Sequence, residues 1–79
     1  MNTIPPQRMT ATAVMDAYFL ETRAKLLEIA ATLDRIDRAP DLLALRGDPR
    51  LVFIHEALAM LQSAEPNRAE LIQTLYSKP

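Results

Sequence analysis

The feature that most constrains this 79-residue chain is the stretch from Ala13 to Arg38, which contains neither glycine nor proline and carries apolar residues at helical spacing. Such a run predicts one continuous helix of about 26 residues, roughly 39 Å long at 1.5 Å per residue. Placed on a helical wheel, Met15, Phe19, Thr22, Leu26, Ile29, Leu33 and Ile36 follow alternating steps of four and three. They fall within about 100° of one another, a seam with Thr22 as its polar interruption. A second row, Leu20, Ala24, Leu27 and Ala31 with Ala13 beside it, lies roughly 160° away.

Between the rows runs a narrow polar strip of Asp16, Arg23 and Asp34. The broader polar face carries Glu21, Lys25, Glu28, Thr32 and Arg35, with Glu21 and Lys25 in the favourable i, i+4 order. A chain this short supports one small core. The expectation is that the seam packs on the later helices. The Leu20–Ala24–Leu27–Ala31 row is then the candidate interface, because a contiguous exposed patch of leucine and alanine marks an interaction surface. Burial of both rows within a single chain is the competing reading.

The remaining elements are announced by their boundaries. Pro5-Pro6 favours an extended arm over residues 1–9, after which Thr10 or Thr12 can cap the long helix. Pro40 ends that helix at Ala39. Asp41–Arg46 reads either as one helical turn or as an irregular connector, with Gly47 placed to adopt the left-handed conformation that closes a turn. Asp48-Pro49 is a start signal: the aspartate caps, and proline occupies the first helical position, where its missing N–H costs nothing. A helix from Pro49 to about Ser63 should bury Leu51, Ile54, Ala57, Leu58 and Leu61, with Phe53 and Met60 extending the arc. After the Ala64–Asn67 turn, a last helix starts at Pro66 or Arg68 and runs to about Tyr76, with Ala69, Leu71, Ile72, Leu75 and Tyr76 on its apolar side. Asn67 and Glu70 have capping-box spacing.

The fold expected is therefore all-α, a small three- to four-helix bundle with a long first helix, a short connector turn and two shorter C-terminal helices. Residues 10–79 are read as one helical domain behind the arm. Composition agrees: nearly half the residues are apolar, aromatics are few, and a single glycine leaves little for β-hairpin turns.

Chemistry is conspicuously thin. The absence of cysteine excludes disulfides, thiolate metal sites and cysteine nucleophiles, and is compatible with a reducing cytoplasm. His55 is the only histidine, and with no second histidine or cysteine it lacks a zinc ligand set. Neither Glu-x-x-His nor His-Glu-x-x-His occurs. Ser63 and Ser77 have no base at hand. One glycine cannot build a phosphate-cradling loop, and Asp48 would repel a phosphate from the helix it caps. No enzyme activity, metal or cofactor is expected.

A net charge of −1 with mixed signs gives no general footprint for nucleic acid or anionic membranes. Arg35, Arg38, Arg46 and Arg50 interleave with Asp34, Asp37, Asp41 and Asp48, which predicts a salt-bridged rim around the connector. The two C-terminal helices are joined by a short turn, yet Arg68, Gln73, Thr74 and Lys78 are a meagre set for groove recognition. No signal-peptide pattern and no transmembrane-length apolar run appear. The sequence thus points to a cytoplasmic interaction or structural protein, homodimeric through its first helix. The alternative is a regulatory or adaptor module that binds a larger protein or, with less support, nucleic acid.

Overall fold

The structure, a computed structural model, describes residues 9–77, with the backbone alone for Tyr76 and Ser77. Its element order is α1 (Ala11–Arg38), a 3-10 turn (Leu42–Leu45), α2 (Pro49–Gln62) and α3 (Arg68–Ser77). The all-α class with one long and two short helices is as the sequence predicts. Except for Met9, the arm expected over residues 1–9 lies outside the described residues. The chain divides into two compact units between Ala39 and Pro40.

The first unit is α1, 28 residues long and so about 42 Å from end to end. Thr10, in an extended conformation, caps it: its Oγ1 accepts from the Ala13 N–H at 3.1 Å. This satisfies one of the donors that every helix start leaves without an intrahelical partner. Glu21 and Lys25 pair at 2.8 Å across one turn. At the other end Arg35 and Arg38 stand in the last turn, where cations oppose the negative end of the helix dipole. Ala39 returns to extended backbone ahead of Pro40, as the residue before a proline must when the α region is crowded by the ring.

The second unit begins with the 3-10 turn and is governed by local caps. Gly47 takes a φ of +78°, the left-handed conformation in which a side chain would be strained. Asp48 then caps α2, accepting from the Arg50 N–H at 2.8 Å, with Pro49 at the first helical position. Ser63 closes α2 by donating its hydroxyl to the Met60 carbonyl at 2.7 Å and accepting from the Glu65 N–H at 3.3 Å. Asn67 opens α3, its carbonyl accepting from the Leu71 N–H and its side-chain amide reaching Glu70 at 3.3 Å. The spacing expected of a capping box is met, but through a contact between the two side chains.

Helices α2 and α3, joined by a short turn, pack on each other. Leu51, Phe53, Ile54, Ala57, Leu58 and Met60 of α2 are half-buried, as are Leu71, Ile72 and Leu75 of α3. Two expected core positions are corrected. Leu61 is exposed because it stands next to the last residue of α2, and Ala69 is exposed in the first turn of α3. The side chain of Tyr76, also expected on that face, lies outside the described residues.

Candidate functional site

The residues chosen from sequence as an interface all lie on α1. Within a single helix, neighbours three and four positions apart cover one another's side chains only in part. Among the described residues none is buried. Leu20 is 77% exposed, more than any other large apolar residue described, and Leu27 is 52% exposed. Ala24 between them is exposed, and Ala31 is half-buried. Half a turn or so around the helix, Met15, Phe19, Leu26 and Ile29 of the seam are exposed as well, while Leu33 and Ile36 are half-buried.

Two further residues widen this surface. Val14 and Tyr18 are both exposed on α1, and Tyr18 borders the seam while Val14 falls on the broad polar face. The signal for both is their place inside the helical run, Tyr18 at the margin of the seam and Val14 outside either row. With them, the N-terminal half of α1 presents Val14, Met15, Tyr18, Phe19 and Leu20 in nearly every direction.

The second unit holds a different feature. Leu42, Leu43, Leu45, Arg46, Gly47 and Asp48 of the connector, with Leu51, Val52 and His55 of α2, line an open and predominantly apolar groove of about 300 Å³. The 3-10 turn builds it by splaying successive leucines. His55, which lines it too, is exposed. No group of three or more histidine, cysteine, aspartate or glutamate side chains among the described residues could hold a metal ion.

The charged residues are more locally engaged than the sequence suggests. Of the rim expected around the connector, Asp48 and Arg50 form an ion pair at 2.8 Å. Together with the backbone bond from Arg50, this holds the Asp48 carboxyl down to about 2 from an ordinary 3.8. The Lys25 ammonium likewise lowers Glu21, and the same contact raises Lys25. Arg68, considered above for groove recognition, instead turns back on the α2–α3 loop: its Nη1 donates to the carbonyls of Ser63 and Glu65, each at 3.2 Å. Thr74 donates to the Glu70 carbonyl of its own helix at 2.7 Å. Two of the four side chains available for base contacts are thus bound to the backbone beside them, and Lys78 lies outside the described residues.

Among the described residues, no helix is long and apolar enough to cross a membrane. No protein-family model matches the chain, and neither a curated protein nor a solved structure is similar to it.

Proposed function

We propose that this chain is a small helical interaction protein that assembles with a second copy of itself through α1, on the row formed by Leu20, Ala24, Leu27 and Ala31. The observation that carries this reading is the exposure of that row, above all of Leu20, on a helix whose opposite side is apolar too. Exposed leucine side chains are each worth roughly 1.5–3 kcal/mol when removed from water, so a helix of this kind gains by pairing. A chain of 79 residues has little stability to spare from a core of its own. Near-neutral net charge leaves no long-range repulsion between copies. The cysteine-free composition suits a reducing compartment such as the cytoplasm.

Sedimentation equilibrium tests the reading directly. A dimer at tens of micromolar is expected, and Leu20→Glu with Leu27→Glu should give a monomer that keeps its helical circular dichroism. A wild-type chain that sediments as a monomer at that concentration would sink the proposal.

A further inference from the structure

The order of large and small residues along the row says how two copies meet. We infer that the two α1 helices pair antiparallel, about a two-fold axis crossing between Lys25 and Leu26; this rests on the self-association proposed above. In that register Leu20 of each copy faces Ala31 of the other, and Leu27 faces Ala24. Every layer then holds one leucine and one alanine, so the spacing between helices is uniform and each leucine fills the space above an alanine.

Parallel pairing places like against like. Layers of two leucines would hold the helices apart, and the intervening layers of two alanines would be left as voids, which a packed interface does not tolerate. Two further properties of α1 favour the antiparallel arrangement. Its dipole is opposed by that of an antiparallel partner and reinforced by that of a parallel one. Its last turn carries Arg35 and Arg38. Parallel pairing sets these beside the same two cations, whereas the antiparallel register brings Arg35 level with Asp16 of the other copy. A C2 dimer requires one patch that is complementary to itself, and this row has that property in the antiparallel register alone.

Because the chain has no cysteine, single nitroxide labels can be placed cleanly on the full-length protein at Thr12→Cys or Asp37→Cys, both exposed sites on α1 away from the row. In the antiparallel dimer the two Thr12→Cys labels are about 40 Å apart and the two Asp37→Cys labels about 35 Å apart, from the helical rise alone. A mixed dimer with one label of each kind should give a separation under about 20 Å. A short distance in the Thr12→Cys homodimer, with a long one in the mixed dimer, would mean parallel pairing and overturn the inference while leaving self-association intact. A labelled chain that sediments as a monomer would remove the foundation as well.

The register is tested separately. Leu20→Ala and Ala31→Leu should each weaken the dimer about tenfold or more, and combining them should restore affinity, because the swapped pair still places one leucine against one alanine. Additive losses in the double variant would refute the register. Circular dichroism on each variant separates loss of pairing from loss of helix.

Discussion

The Asp48 carboxylate holds Arg50 at three points, accepting from its backbone N–H at 2.8 Å, from Nε at 3.0 Å and, through its other oxygen, from Nη2 at 2.8 Å. One side chain thereby caps α2 and fixes the single arginine of that helix in a forked ion pair. Asp48 also lines the groove to which Leu51, Val52 and His55 contribute.

The sign of the pH dependence follows from that contact. The folded-state carboxyl is lowered to about 2, so its stabilising contribution is complete above the ordinary value of 3.8 and is lost as pH falls between the two. The Arg50 amide, followed by NMR, should therefore keep its hydrogen-bonded shift at pH 5 and lose it progressively toward pH 2. Asp48→Asn keeps an oxygen acceptor for the cap but removes the charge, so that transition should vanish from the variant. A wild-type titration with its midpoint near 4 would contradict the assignment.

Gly47→Ala tests the turn that sets the connector. Nothing stands within 4 Å of a Cβ built at Gly47, so the cost is conformational and not steric. At a φ of +78° that cost is about 1–2 kcal/mol. The expected result is a lower midpoint in urea with an unchanged slope. An unchanged midpoint would mean that the turn is not held in its left-handed conformation.

Arg68→Ala removes both hydrogen bonds to the α2–α3 loop, at the carbonyls of Ser63 and Glu65. Hydrogen bonds of this kind contribute about 0.5–1.5 kcal/mol each, nearer the low end at an exposed site. Hydrogen exchange should accelerate in the last turn of α2 and the first of α3, with α1 unaffected. Arg68→Lys should recover only part of the protection, because an ammonium lacks the planar fork of a guanidinium.

Self-association has a thermodynamic signature independent of any interface variant. Folding coupled to pairing makes the melting temperature depend on protein concentration. Raising the wild type from about 5 to about 50 μM should increase it by a few degrees, in keeping with a contribution of about 1.4 kcal/mol per tenfold change. Leu20→Glu should melt at the same temperature at both concentrations. A concentration-independent wild type would count against the dimer.

Much of the fold was legible because its signals are local. Thr10, Pro40, Gly47, Asp48-Pro49 and Ser63 each act on backbone groups within a few residues, so the helix boundaries could be placed from sequence to within a residue or two. The i, i+4 spacing of Glu21 and Lys25 likewise anticipates their ion pair. Side-chain destinations that depend on where the chain goes next were not legible. Arg68 carries no mark in the sequence that it bonds to Ser63 and Glu65, since that contact exists only once the turn has brought those carbonyls round to it.

The candidate site divides in the same way. The two rows of α1 follow from composition and a 3.6-residue period, and the sequence by itself determined that Leu20, Ala24, Leu27 and Ala31 share one side of the long helix. Only the tertiary structure decided which apolar residues stay open to solvent. Leu61 and Ala69 fit an apolar periodicity as well as their neighbours do, yet both are exposed. The apolar groove likewise needed the 3-10 turn to set the connector leucines beside α2. Periodicity fixes the direction in which a side chain points from its helix; whether anything lies in that direction is a property of the whole chain.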